Sequence, residues 1–437
     1  MRLIKLGLAS IIATGALANL ASAASLEEAI KNVEVTGYAR YRFDSQNAKL
    51  GSFEDTDNEH RFTSDIDFKA ALDDRFFGVI GFRYDSRDDS GERAGAQTNV
   101  GSADASSGDG YSQTFNVRQF YLGYTAGNTT VTAGRQVLGT FFTDDMVGTG
   151  IKVLNSDISG LTLVGMAFDN LQDDSDIGTS GVILGDRTVS VDSKTGEVSG
   201  KPEYVTDRNL YGVAAIGSYD PVSFQLWYAA LDSVAQLYAA DVTLGADLGD
   251  VDLSLQAQAA GSSMWANSAR AVVYDPTQVP VKYKMADLNL DDATFLAAKL
   301  GAKGFGFDGS VGYININTKD NGYSLISFED QGGFITAGED LLDYTFIDGD
   351  LSAYFVTAGY TFANKVRVGA DYVGMRVVYN EIKNIEPSST VDAYEAVARV
   401  DYKYSKKLNF KAWYSYINGD NETSDNQHLR FEARYNF

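Results

Sequence analysis

The side chains of this chain that could do chemistry are its clustered acids and bases, and their spacing decides which chemistry. Asp144 and Asp145 sit in the stretch 138–148 beside Phe141, Phe142, Met146 and Val147. An exposed turn has little use for large apolar residues, so this stretch reads as a loop pinned to an inner wall with its acids free. The alternative is an ordinary exposed turn with two solvated acids. Arg40 and Arg42 near the start, and Arg399, Lys403, Lys411, Arg430 and Arg434 near the end, supply the opposite sign, relieved by Glu395, Asp401 and Glu432. Acids facing bases across a water-filled passage set up a transverse field, which is the chemistry of a pore constriction. The plainer reading of the bases is that they keep an interior wet and pair locally.

Carboxylate pairs also raise calcium, which takes roughly six to eight oxygen ligands. Asp144 and Asp145 are one candidate set; Asp173, Asp174 and Asp176 are another. Neither has the spacing of a calcium-binding helical hand, and solvated acidic loops remain the alternative. The two histidines, His60 and His428, have Asp57 and Asp425 as close sequence neighbours, which leaves open a rim-located hydrolase. No other nucleophile and base pattern shows. Gly304-Phe-Gly-Phe-Asp-Gly309 fits G-x-G-x-x-G, but it lies in alternating sequence with no helix after it, which a dinucleotide site requires.

The elements that must hold these residues are strands. From His428 to Phe437, Leu429, Phe431, Ala433, Tyr435 and Phe437 alternate with His428, Arg430, Glu432, Arg434 and Asn436. Alternation with period two puts the first set on one face and the second on the other. At about 3.3 Å per residue and a tilt of about 40°, such a strand rises roughly 25 Å, the height of the apolar band of an outer-membrane barrel. The same pattern marks a first strand, with Val33, Val35, Gly37, Ala39, Tyr41 and Phe43 outward and Glu34, Thr36, Tyr38, Arg40 and Arg42 inward. Strict alternation from Val131 and Ala133 sends Arg135 outward, so its use in the pore needs a bulge or the barrel's end there. Arg118, beside Phe120, poses the same problem.

Composition and compartment agree with a barrel. Arg2 and Lys5, an apolar run from Leu6 to Ala18, and Ala21-Ser22-Ala23 follow the pattern of a secretory signal peptide over 1–23, leaving 24–437 as one barrel domain. The chain has 5 prolines against 43 glycines, 26 tyrosines and 24 phenylalanines, which favours many strands with tight turns. It has no cysteine, so neither disulfides nor thiolate metal sites arise. A net charge of −23 excludes an electrostatic nucleic-acid binder. No later stretch is apolar for long enough to cross a bilayer as a helix, so a membrane form must be a barrel.

Connections alternate in length. Short turns fall near 73–75, 126–128, 156–160, 220–221, 247–250, 303–304, 363–365 and 406–407. Long polar segments fall at 45–58, 86–112, 138–148, 172–207, 261–292, 319–350, 380–391 and 419–427, and only 232–235 is short where a long one is due. Tight turns at one end and long loops at the other predict about 18 antiparallel strands. Alternation is weakest over 148–155 and 236–248.

Ser25-Leu-Glu-Glu-Ala-Ile-Lys31 leading into Val35-Thr-Gly-Tyr-Ala-Arg-Tyr-Arg42 resembles the mature start of the campylobacterial major outer membrane porins. Asn116-Val-Arg-Gln-Phe-Tyr-Leu-Gly-Tyr124, Gly134-Arg-Gln136, Thr143-Asp-Asp145 and Gly148-Thr-Gly-Ile-Lys152 follow in the same order. The match covers the first third and the last three strands, and not the loops between 172 and 350. The resemblance implies a homotrimeric 18-stranded channel for ions and small hydrophilic solutes, with calcium near its constriction. In general porins a Gly-Arg step such as Gly134-Arg135 precedes the inward-folded loop. A terminal Phe437 with Tyr435 before it also resembles the signal read by the outer-membrane assembly machinery. The expected function is therefore a diffusion porin with Asp144 and Asp145 facing Arg40, Arg42 and Arg430 and a modest cation preference. A surface adhesin displaying its long loops is the alternative from another class.

Overall fold

The computed structural model describes residues 33–50, 53–90, 112–172, 176–178, 182–184, 189–194, 196–266, 269–275, 282–319, 322–326, 332–342, 349–379, 388–420 and 425–437. The stretch expected to be a signal peptide, Asp173 and Asp174 lie outside the described residues. In chain order the first strands are β1 (Glu34–Leu50), β2 (Phe53–Ala71), β3 (Phe76–Ser90), β4 (Ser112–Ala126), β5 (Thr129–Val137), β6 (Val147–Asn155) and β7 (Leu161–Asp169). After the short β8 (Ser190–Val191) and β9 (Val198–Ser199) come β10 (Leu210–Tyr219), β11 (Val222–Leu231), β12 (Ala235–Asp247) and β13 (Val251–Met264). The hairpin β14 (Ala269–Asp275) and β15 (Lys282–Leu288) precedes β16 (Ala293–Gly304), β17 (Phe307–Thr318) and β18 (Asp350–Phe362). The wall ends with β19 (Val366–Tyr379), β20 (Ser389–Lys403), β21 (Leu408–Gly419) and β22 (Asp425–Asn436).

Eighteen of these form one sheet in which every neighbour is antiparallel, and β1 pairs with β22 to close it. Closure removes the free edges that would otherwise carry unpaired backbone groups into lipid. The strand count is the expected one. The segments β8 with β9 and β14 with β15 are hairpins of the long loops, linked where Ile183 bridges to Arg270. The 45–58 segment is not a loop: β1 and β2 stay paired out to Leu50 and Phe53. The G-x-G-x-x-G match straddles a short turn, since Phe305 and Gly306 both have positive φ between β16 and β17.

The outer face is the expected apolar one, with Leu122, Ile151, Val213, Leu296, Val356 and Leu429 among its exposed side chains. The inner face is not uniformly polar. From β7 to β19 it carries Phe168, Leu210, Trp227, Leu237, Phe295, Ile314, Leu351, Phe355 and Val373, all buried. These residues pack with Leu138, Phe141, Met146, Phe334, Ile335, Leu341 and Leu342, which belong to loops folded into the barrel. Charged side chains concentrate on the remaining wall, β1 to β4 and β20 to β22. One half of the interior is thus a packed core, and the other half is the polar face.

Candidate constriction inside the barrel

The 138–146 loop leaves β5 and turns inward. Leu138 N–H donates to Met146 O at 2.9 Å, and Lys152 Nζ donates to Val137 O at 2.9 Å, which ties the loop's neck to β6. Leu138, Phe141, Phe142 and Met146 are buried, so the apolar residues pin the loop as their types predict. Asp145 meets Arg83 Nη2 at 2.5 Å and Arg118 Nη2 at 2.7 Å. Both arginines also hold Asp65, Arg83 at 2.8 Å and Arg118 at 2.5 Å. Desolvation opposes the Asp145 charge, but Arg118 and Arg83 outweigh it and hold the carboxyl below its ordinary value. Asp144 is exposed, and its N–H donates to the buried Asp176 at 3.0 Å.

Arg118 reaches this cluster through a bulge. The register of β3 against β4 shifts between Gly81 and Phe82, so Val117 and Phe120 both point outward while Arg118 and Gln119 both point inward. An extra residue in one strand does this because side-chain direction has a strict period of two. Gln119 donates to Asp67 at 3.0 Å from the inner face. Arg135, opposite the 65 % exposed Phe120, keeps the outward phase of Ala133. The bulge that would have been needed for Arg135 lies on the neighbouring strand, and it brings Arg118 inward instead.

A second loop segment, 332–342 between β17 and β18, meets the first. Gly333 N–H donates to Phe141 O at 2.9 Å, and the Phe334 ring packs edge-on to Phe141 at 4.9 Å and to Phe295 at 4.8 Å. Gln258 grips the same turn, donating to Gly333 O at 2.8 Å and accepting from Ile335 N at 2.7 Å. At its far end the segment docks on the charged wall. The fully buried Glu395 accepts from the backbone N–H groups of Glu339, Asp340 and Leu341, and from Ser415 Oγ at 2.7 Å. Glu339 pairs with Arg399 Nη1 at 2.6 Å, and Asp340 meets His428 Nδ1 at 2.8 Å. Burial raises the Glu339 carboxyl above its ordinary value, although Arg399, Lys411 and Arg430 pull the other way.

The expected basic wall does assemble: Arg40 and Arg42 on β1 lie beside Arg430 and Arg434 on β22, with Lys411 on β21 and Arg399 on β20 following. Its partners differ from those expected. Arg42 pairs with Glu432 at 3.2 Å, Arg430 with Asp44, and Arg399 with Asp371 and Glu339. Asp145 pairs with Arg83 and Arg118 rather than with Arg40, Arg42 or Arg430. Arg83, Glu339 and Asp340 are therefore the candidate-site residues that the sequence reading missed, and Arg118 is one that it named without placing. Glu339 and Asp340 had a signal, since Phe334, Ile335, Leu341 and Leu342 bracket them as Phe141 and Met146 bracket Asp145.

His60 meets Tyr41 Oη at 2.9 Å and packs on Phe43, while His428 has a carboxylate at each ring nitrogen, Asp44 and Asp340, both at 2.8 Å. Among the described residues, the side-chain hydrogen-bond partners of the two rings are Tyr41, Gln46, Asp44 and Asp340, and no Ser hydroxyl is among them. Among the described residues, no group of three or more carboxylates or histidines is placed to hold a metal ion. One carboxylate oxygen of Asp145, Oδ2, is shared by the Arg83 and Arg118 guanidinium groups, and Arg118 also takes its backbone carbonyl, a cationic setting that does not favour a calcium ion there.

Known structures share the barrel. Pseudomonas aeruginosa OccD3 (OpdP) superposes with a TM-score of 0.63 at 11 % identity, covering 93 % of this chain and 91 % of its own. Pseudomonas aeruginosa OccK9 (OpdG) gives 0.63 at 13 %, covering 94 % and 99 %. Acinetobacter baumannii OccAB4 gives 0.64 at 10 %, covering 92 % and 98 %. At such identities the likeness is one of fold. No curated protein matches the chain in sequence. The family model described as Campylobacter major outer membrane protein matches residues 1–437, the whole chain.

Proposed function

The chain belongs to the Campylobacter major outer membrane protein family, and from that premise we propose that this outer-membrane porin is a passive, water-filled channel narrowed by two inward loops. The observation that carries the proposal is the contact between the 138–146 and 332–342 loops at Phe141 and Phe334, with acids at both ends. The loops fill the apolar half of the barrel, so solutes pass along the charged half. There Asp145, Glu339 and Asp340 stand among Arg83, Arg118, Arg399, Arg430, Arg40 and Arg42. A field across a narrow, low-dielectric passage orients dipolar solutes and hinders apolar ones. With both signs present, the preference for cations is modest and strongest in dilute salt.

The same proposal includes export by the 1–23 signal, assembly by the outer-membrane machinery reading Tyr435 and Phe437, and a homotrimer in the membrane. Calcium belongs to the same proposal, with Asp173, Asp174 and Asp176 as its candidate carboxylates in place of Asp144 and Asp145. Planar-bilayer recording tests the reading. Purified protein should insert in uniform conductance steps, and changing Asp144 and Asp145 to Asn should move the reversal potential in a salt gradient toward anions. Arg40→Gln should move it toward cations. Absence of steps would remove the channel, and an unmoved potential in the double Asn variant would remove the 138–146 loop from the narrow point.

A further inference from the structure

Beyond the constriction, the inner wall carries an unusual pairing. Arg40 on β1 and Arg434 on β22 are direct cross-strand partners, and both point into the barrel. Like charges placed directly opposite each other destabilise a sheet unless something of opposite charge sits between them. The local supply of acid is thin. Glu432 is 3.2 Å from Arg42 and 4.0 Å from Arg40, and it also lies opposite Lys411. Arg434 has no carboxylate partner among the described residues. Its Nε donates to Asn436 Oδ1 at 3.1 Å, and its guanidinium lies 3.9 Å from the centroid of the Tyr38 ring. Arg40 is 5.6 Å from the same ring, donates one long hydrogen bond of 3.4 Å to Thr63, and keeps a buried Nε with no partner.

A guanidinium has five N–H donors in a planar fork that matches an oxyanion with two oxygens. Two forks side by side, one held flat by stacking on Tyr38, form a cradle with more donors than the protein satisfies. We propose that Arg40, Arg434 and Tyr38 form a binding subsite for the carboxylate of a transiting small organic acid or amino acid. The proposal rests on the channel reading and adds a solute class to it. Its position gives it a role. Arg40 lies four residues from Asp44 toward the short-turn end, and Arg434 four residues from Arg430 in the same direction. That is about 10 Å along the barrel axis for tilted strands. A solute passing the 332–342 loop, which docks at the level of Asp44 and His428, would meet the cradle next. Acids at the constriction slow a free anion, and a basic site just beyond it draws the carboxylate end through.

The test is current block in planar bilayers by potassium succinate, at fixed ionic strength, with potassium phosphate as a parallel arm. Wild-type channels should show concentration-dependent block by succinate. Arg434→Gln and Arg40→Gln should each raise the half-blocking concentration about tenfold or more, as loss of a bidentate charged contact does. Arg434→Lys should behave as the Gln variant, because an ammonium keeps the charge but has no fork and does not stack as a plane. Wild-type block in Arg434→Lys or Arg434→Gln would overturn the cradle, as would block by phosphate and not by succinate. Arg376→Gln, on the outer face, should leave the block unchanged. Absence of conductance steps in any variant or in the wild type is a failure of the channel reading, whereas steps with an unmoved succinate block are a failure of the subsite alone.

Discussion

Truncating the Phe141 side chain is the sharpest perturbation of the proposed two-loop constriction. Phe141 is 2 % exposed, and its ring meets Phe142 at 5.7 Å and Phe334 at 4.9 Å, so Phe141→Ala leaves a cavity where the loops join. Buried Phe to Ala changes cost about 3–5 kcal/mol, of which an aromatic pair accounts for about 0.5–1.5. The strand ladder does not involve this ring, so the cost falls on loop docking rather than on barrel closure. At about 1.4 kcal/mol per factor of ten, the ratio of undocked to docked loop should rise by roughly two to three and a half powers of ten. In single-channel recordings this should appear as a larger mean conductance with frequent transitions, while the thermal unfolding of the barrel stays near wild type. Phe334→Ala should do the same. The double variant should show a coupling of about 0.5–1.5 kcal/mol in the loop equilibrium. Wild-type conductance and quiet traces in Phe141→Ala would refute the idea that the loop pair sets the pore's width.

Lowering the pH should reduce the proposed cation preference in two separate steps. A raised Glu339 binds its proton more firmly folded than unfolded, so it neutralises first, above the ordinary glutamate value; a depressed Asp145 stays charged until below the ordinary aspartate value. By the same linkage, loop docking through Glu339 weakens as pH rises through that upper window, whereas the Asp145 pairs are lost as pH falls below the ordinary aspartate value. Reversal potentials against pH should lose the upper step in Glu339→Gln and the lower one in Asp145→Asn; a single shared step would contradict the assignment. On the wall, Ala433→Arg should cost about 2–4 kcal/mol by placing a guanidinium in lipid, while Glu432→Gln should fold and alter conductance only. Equal unfolding midpoints for the two variants would mean that the faces are reversed. Deleting Phe437 should abolish accumulation in the outer membrane, and normal surface levels of the truncation would exclude its role in assembly.

The barrel was legible in the sequence because strands that face lipid on one side and water on the other must alternate. The final strand and β1 do so without interruption, and their register pairs Arg40 with Arg434 as closure requires. Phase errors came from places where local geometry breaks the period. The bulge at Arg118 has no sequence marker beyond two charged or polar residues in succession, Arg118 and Gln119. The partners of Asp145 were hidden for a different reason: Arg83 lies on β3 and Arg118 on β4, and contact between a loop and distant strands depends on how the loop packs. The 332–342 segment was readable in principle, since apolar residues inside a long polar loop have to be buried against something.

The apolar half of the inner wall also matters before the protein reaches its membrane. A usual barrel strand has one polar face, so the chain in transit through the periplasm is never sticky on both sides. Here strands such as β16 and β18 carry Phe295 and Ala297, or Leu351 and Phe355, on the face that loops will cover, and Leu296 and Leu300, or Tyr354 and Val356, on the face that lipid will cover. Short segments apolar on both faces are the ones most prone to misassociate between chains. The acidic segments between strands supply repulsion along the same chain, which carries a net charge of −23. Loop docking and strand insertion must then proceed together, because a barrel wall inserted with its loops outside would present an oily lining to water.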